Sequence, residues 1–244
     1  MHSLNWINRI SSGQADVADV ISERLPVSHD TWLPVSQVKH YSLVYVVDRS
    51  EGKTLLGYKK RGMGINLWNG FGGKPYVDES MEACAKRELE EEAGLMGISL
   101  TYKGQFVITD SNGPLREGSD TSALIWIYVC DKWKGDPIET EEMIPKWFRL
   151  PSAPTRKNAF GDKLEDIPVD AIWPEQRFFL SKLLDMTAQE GMYGRVDYDT
   201  LSAQTSLDSL MGEAQLVTRD QKHRLKSWRF VRVKQEVLVG YRDS

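Results

Sequence analysis

The sequence predicts a mixed α+β domain, and three observations carry that reading. Two apolar segments, 41–48 (YSLVYVVD) and 53–60 (KTLLGYKK), have strand length and are joined by Arg49-Ser50-Glu51-Gly52 at hairpin spacing. A glycine-rich loop over 62–73 then leads into a helical stretch over 80–93, followed by Gly94, a usual C-terminal stop. Further strand segments at 104–109, 123–130 and 147–150 precede a second and last helix opened by Trp173-Pro174-Glu175, because proline is tolerated in a first turn.

The elements follow in order. Residues 1–37 are polar and broken by Leu25-Pro26-Val27-Ser28 and Leu33-Pro34-Val35-Ser36, which predicts an appended arm. In the first helix Met81, Ala85 and Leu89 fall at i, i+4 and i+8 and mark the core side. Phe179, Leu180, Leu183 and Leu184 do the same in the second. The domain is expected over 38–210, with 211–244 as a basic extension. Between Arg219 and Lys234 stand seven basic residues against one acid, Asp220, or about +6. The segment 228–239 (WRFVRVKQEVLV) alternates weakly, which predicts a strand or ordered segment docked on the acidic remainder. A nucleic-acid or organelle-address arm is the functional alternative.

Composition excludes several classes. The 244 residues carry 31 Lys and Arg against 35 Asp and Glu, and 41% are apolar, enough for a substantial core. The longest apolar run, 123–130, is far too short to span a bilayer. The two cysteines, Cys84 and Cys130, cannot form a disulfide framework and favour a reducing compartment. His2, His29, His40 and His223 lack metal-ligand spacing. With no secretory pattern at the start, the expectation is a monomer of the cytoplasm, with nucleus or mitochondria as further compartments and no membrane. Phosphate-loop, dinucleotide-loop, nucleophile-elbow and zinc-protease motifs are missing: Gly62 and Gly64 lead to Leu67, and Gly52-Lys53-Thr54 has Val47 at its first glycine position.

The strongest signal is GKPYVDESMEACAKRELEEEAGL (73–95). Glu88, Glu91 and Glu92 fall at i, i+3 and i+4, so three carboxylates share one helical face. Like charges stacked this way repel, and a hard divalent cation such as Mg²⁺ is the natural partner. Glu90-Glu91-Glu92 alone would read as a solvated acidic face.

The spacing changes that reading. Gly73, Glu79, Arg87-Glu88-Leu89, Glu91-Glu92 and Gly94-Leu95 resemble the Nudix box at every defined position. LLGYKKRGMGINLWNGFGGK (55–74), EEMIPKWF (141–148) and Trp173-Pro174 further resemble the oxidised purine nucleoside triphosphatase branch, the MutT homologues of mammals. The resemblance implies an α+β Nudix fold, a mixed sheet between helices with a loop–helix–loop motif. It implies Mg²⁺, or Mn²⁺, held by the Gly72 carbonyl, Glu88, Glu91, Glu92 and Glu142. Ser42, Lys59, Asn69, Phe71, Gly72, Gly73 and Lys74 would line the substrate site, with Trp173, Glu175 and Gln176 facing the base. Glu79 and Arg87 would pair structurally. Glu92 is placed first as catalytic base and Glu91 second, and the spacing does not separate ligand from base. The implied reaction converts 8-oxo-dGTP and 2-hydroxy-dATP to monophosphates and pyrophosphate, sanitising the nucleotide pool.

Without the resemblance, Glu142 and Lys59 read as solvated residues, Trp173 as core and Asn69 as a turn residue. The branch also has Trp-Pro-Asp-Asp where this chain has Trp173-Pro174-Glu175-Gln176. Met63 and Ile108 replace aromatic residues, and about a dozen residues are added within 152–169. Another nucleoside diphosphate-linked substrate, such as a dinucleotide, or an inositol pyrophosphate stays open. So does nucleic-acid binding on the same scaffold, although the complete set of box carboxylates argues against it.

Overall fold

A strand with apolar side chains on both faces needs cover on both, and residues 42–47 are buried without interruption. The computed structural model describes residues 5–12, 18–27, 31–35, 37–111, 121–154, 164–201, 216–218 and 222–242. In chain order the elements are α1 (Asn5–Ser11), β1 (Asp19–Arg24), β2 (Gln37–Asp48), β3 (Lys53–Lys59), β4 (Trp68–Asn69), α2 (Met81–Ala93), β5 (Met96–Asp110), β6 (Thr121–Lys134), β7 (Met143–Arg149), α3 (Gln176–Asp185), β8 (Glu190–Thr200), β9 (His223–Lys234) and α4 (Gln235–Arg242). A 3₁₀ turn covers Val169–Ala171.

The strands form one mixed sheet in the order β1-β9-β8-β5-β6-β2-β3-β4, with β7 also on β3. The pairs β2–β6 and β5–β8 are parallel, and the others are antiparallel. Alternation divides the core between the faces. Leu43, Tyr45, Val47, Phe106 and Ile127 pack with Phe179, Leu180, Leu183 and Leu184 of α3. Val44, Val46, Val107 and Tyr128 pack with Ala85, Leu89 and Ala93 of α2, and with Trp6, Ile7 and Ile10 of α1. Met81, expected on that core side, is half-buried.

The first hairpin opens where the site begins. β2 pairs with β3 only from Val46↔Leu55 to Asp48↔Lys53. Further along, the segment after β4 takes the place of β3. Val44 and Phe71 exchange both backbone bonds, at 2.7 and 2.9 Å, and the Ser42 N–H donates to the Gly73 carbonyl at 2.9 Å. β3 swings instead onto β4 and β7. This wedge demands glycine at Gly72, where φ is +154° and a Cβ would stand 2.1 Å from the Ser42 carbonyl oxygen.

The sheet takes in β1 and β9, which lie within the segments expected as arm and extension. β9 runs between β1 and β8, with Leu225, Phe230, Val231 and Val233 buried. Its cations meet acids of the same chain: Arg232 with Glu190 at 3.0 Å, Arg229 with Glu23 at 3.1 Å and Arg224 with Asp199 at 3.1 Å. α4 follows α3, so the helix at Trp173-Pro174 is not the final one. The expected boundary at 210, and 155–163 of the added segment, lie outside the described residues.

Candidate active site

The acidic helix is fixed at both ends. The Ser80 hydroxyl oxygen accepts from the Ala83 N–H at 3.1 Å, and Gly94 closes the last turn at φ 71°, its N–H donating to the Glu90 carbonyl. α2 turns one stripe to the core, and the neighbouring stripe carries the carboxylates in graded burial. Glu92 is 4% exposed, Glu88 15% and Glu91 53%. Glu79 and Arg87 pair through two bonds of 2.9 Å, which lock the loop to the helix and hold the Glu79 carboxyl down at about 2. Arg87 also donates to Glu88 and Glu91, each at 3.0 Å, and to the Lys74 carbonyl at 3.1 Å.

The glycine wedge closes on the same stripe. The Gly72 N–H donates to Glu92 Oε2 at 2.9 Å, and a Cβ on Gly73 would stand 2.4 Å from Glu88 Oε1. Lys59, at the end of β3, donates to Glu92 Oε1 at 2.8 Å and Glu142 Oε2 at 3.1 Å. Arg61 takes the other Glu142 oxygen at 2.5 Å. Burial pushes Glu92 and Glu88 upward despite their cationic partners. Burial opposes the charge of Lys59, but Glu92 and Glu142 outweigh it and raise the amine. For Glu142, bonds from Arg61 and Lys59 outweigh burial and lower the carboxyl.

These groups line one end of a cleft of about 700 Å³, and Asn69, Trp173, Glu175 and Gln176 line the other. Gly64 lies against Trp173, where a Cβ would stand 3.1 Å from the indole. The Asn69 Oδ1 accepts from the Gly70 N–H at 2.9 Å and from Gln176 Nε2 at 2.6 Å. Glu175 Oε2 accepts from the Tyr198 hydroxyl at 2.5 Å, and burial raises the Glu175 carboxyl to about 7. Phe106, Ile108, Ala123 and Ile125 give this end apolar walls.

Of the residues expected in the substrate site, Ser42, Lys59, Asn69, Gly72, Gly73 and Lys74 line the cleft, as do Glu88, Glu91, Glu92 and Glu142. Phe71 does not. Its ring is fully buried in the core, because the backbone exchange with Val44 turns it inward, so it supports the site from beneath. Sequence reasoning missed Arg61 and Tyr198. Arg61 had an available signal, as a cation two residues past the end of β3. Tyr198 had none.

The NUDIX domain family matches residues 37–166, more than half of the chain. The chain belongs to the Nudix family. It is 35% identical over 171 residues to the mouse "oxidized purine nucleoside triphosphate hydrolase", covering 68% of this chain and 93% of that protein. A zebrafish protein of the same name is 38% identical over 120 residues, 48% of this chain and 69% of the relative. The crystal structure of the MutT protein from Bacillus halodurans shares the fold at a TM-score of 0.52 and 18% identity, covering 79% of this chain and 97% of the other.

Nudix hydrolases work with divalent metal ions. Among the described residues no group of three His, Cys, Asp or Glu side chains stands ready-made to hold an ion. Lys59, Arg61 and Arg87 occupy the carboxylates instead. The donor set of the Nudix helix nevertheless fits a hard cation: it consists of oxygens alone, and a Cβ at Gly73 would fill the space against Glu88.

Proposed function

We propose that this Nudix hydrolase cleaves oxidised purine nucleoside triphosphates, 8-oxo-dGTP and 2-hydroxy-dATP, to the monophosphate and pyrophosphate, with Mg²⁺ as the working cation and Mn²⁺ as a substitute. The observation that carries the reading is the two-ended cleft. One end holds Glu88, Glu91, Glu92, Lys59 and Lys74, suited to phosphates. The other holds an indole, apolar walls and the polar floor of Asn69, Glu175 and Gln176, suited to a purine. The names of the mouse and zebrafish relatives support the same substrate class.

Glu88, Glu91, Glu92, Glu142 and the Gly72 carbonyl are the groups that would hold the cation. Bound there, it supplies phosphate charge neutralisation and a more acidic water. Glu92, the most buried of these four glutamates and one raised above its ordinary range, takes the proton from the attacking water. Lys59 and Lys74 balance charge on the departing pyrophosphate. Arg87 keeps Glu88 and Glu91 in place.

The basic strand does not favour the nucleic-acid alternative, since Arg224, Arg229 and Arg232 are spent on acids of the same chain. Incubation with 8-oxo-dGTP and Mg²⁺, followed by product separation, tests the reading. The expected products are 8-oxo-dGMP and pyrophosphate. Release of orthophosphate with a diphosphate, or no turnover, contradicts it.

A further inference from the structure

The floor of the purine end is held from behind by a strand outside the motif-bearing half of the chain. Glu175 is 3% exposed and Tyr198, on β8, is fully buried. The Tyr198 hydroxyl donates to Glu175 Oε2 at 2.5 Å. Among the described residues, the carboxyl has no other donor besides the amide of Glu175 itself. Gln176 beside it is set differently. The Gly70 amide can only donate, so the Asn69 atom it meets is oxygen, and the Gln176 atom 2.6 Å away from that oxygen is the amide nitrogen. The Gln176 amide therefore has one fixed sense, and Glu175 is the floor group whose hydrogen-bond sense can change.

We infer that Tyr198 is a positioning residue for base selection: its hydroxyl engages Glu175 Oε2 and leaves Oε1 as the carboxyl oxygen available to a purine. The inference rests on the reading of the cleft as a purine triphosphate site. With Oε2 engaged as acceptor, a proton on the carboxyl sits on Oε1, and Glu175 then donates to a base. Without that proton, Oε1 accepts from a purine N–H. One carboxyl thus reads two patterns of base edge, and pH sets the balance between them. Burial places this change at about 7. The groups facing it are the Tyr45 phenol from β2 and the Tyr198 phenol from β8, both raised well above 10.0 by burial. Asp110 of β5 reaches it through Tyr198 and is itself paired with His223 of β9 at 2.6 Å.

The test is a double-mutant cycle of Tyr198→Phe and Glu175→Gln, with kcat and KM measured for 8-oxo-dGTP and dGTP across roughly a unit or more either side of about 7, the Glu175 value. Tyr198→Phe is expected to raise KM for 8-oxo-dGTP about tenfold, with a smaller change in kcat. Losing a donor to the ionised carboxyl also moves the pH midpoint of the 8-oxo-dGTP to dGTP preference upward. In the Glu175→Gln background the preference is flat with pH and Tyr198→Phe adds little. Independent, additive effects overturn the inference, as does an unmoved midpoint in Tyr198→Phe. If Tyr198→Phe fails to fold, Glu175→Gln alone decides: a preference that keeps its pH midpoint in that variant overturns it. Failure of the wild type to hydrolyse 8-oxo-dGTP contradicts the proposed function instead, and is read before either variant.

Discussion

Lys59 Nζ lies 2.8 Å from Glu92 Oε1 and 3.1 Å from Glu142 Oε2, so one cation from β3 ties the Nudix helix to the residue that precedes β7. Glu92 also accepts from the Gly72 amide, and the three elements meet on a single carboxylate. That convergence explains why the least exposed of the three helix carboxylates can remain in the cleft.

Glu92 is accordingly the group with most to lose. Glu92→Gln should lower kcat by at least ~10²-fold at unchanged fold, through loss of the proton acceptor or of a cation ligand. Near-full turnover in saturating Mg²⁺, measured beside an unchanged circular dichroism spectrum, would remove Glu92 from the mechanism.

Arg87 meets Glu79, Glu88 and Glu91 at once, and its planar fork makes the two parallel 2.9 Å bonds to Glu79. A lysine cannot reproduce that fork. Arg87→Lys should raise the Mg²⁺ concentration for half-maximal rate by roughly ten- to a hundredfold, the usual effect of disturbing groups that orient metal ligands. An unchanged Mg²⁺ titration would limit Arg87 to holding the loop.

Glu175 gives stability a pH dependence of known sign. Its folded value is raised from 4.5 to about 7, so the folded protein binds the proton more tightly than the unfolded chain. The contribution favouring the fold is complete below about 4.5 and is lost as pH rises through about 7. Over that window the loss is on the order of 3 kcal/mol at 1.36 kcal/mol per unit. Asp197, raised to about 6 by burial, acts in the same direction, so the informative quantity is the difference between the wild type and Glu175→Gln. Urea unfolding at several pH values should show a steeper decline for the wild type; parallel curves would contradict the assignment.

Phe230 tests the place of the basic segment in the fold. Its ring centroid lies 4.8 Å from that of Phe179 and 5.9 Å from that of Phe106, joining β9 to α3 and β5. Phe230→Ala should cost about 3–5 kcal/mol. A melting temperature equal to that of the wild type would mean that the segment is dispensable to the domain.

The helix and its loop were legible because their geometry is encoded locally. The Ser80 cap, the stop at Gly94, the close-approach glycines Gly72 and Gly73 and the carboxylate stripe all lie within 72–95. The parallel pairs were not, since nothing in β5 names β8 as its neighbour. β8 reads EGMYGRVDYDT, with two glycines and four charges, and becomes a strand only because β5 and β9 flank it. Phe71 entered the expected site through resemblance alone, and the backbone exchange with Val44, which no local pattern reveals, turns its ring into the core. Glu175 was legible as a floor residue through resemblance, but its tether to Tyr198 depends on a register that no local pattern reveals.

The most direct measurement of the whole account is kcat/KM for 8-oxo-dGTP, 2-hydroxy-dATP, dGTP and dATP in Mg²⁺, for the wild type and Glu175→Ala. The cleft predicts that the oxidised purines are preferred, and that Glu175→Ala lowers kcat/KM for them by roughly ten- to a hundredfold, as expected for loss of a hydrogen bond to a charged group. Equal kcat/KM for oxidised and ordinary purines, unaffected by the substitution, would contradict it and leave a Nudix hydrolase with no preference for oxidised purines.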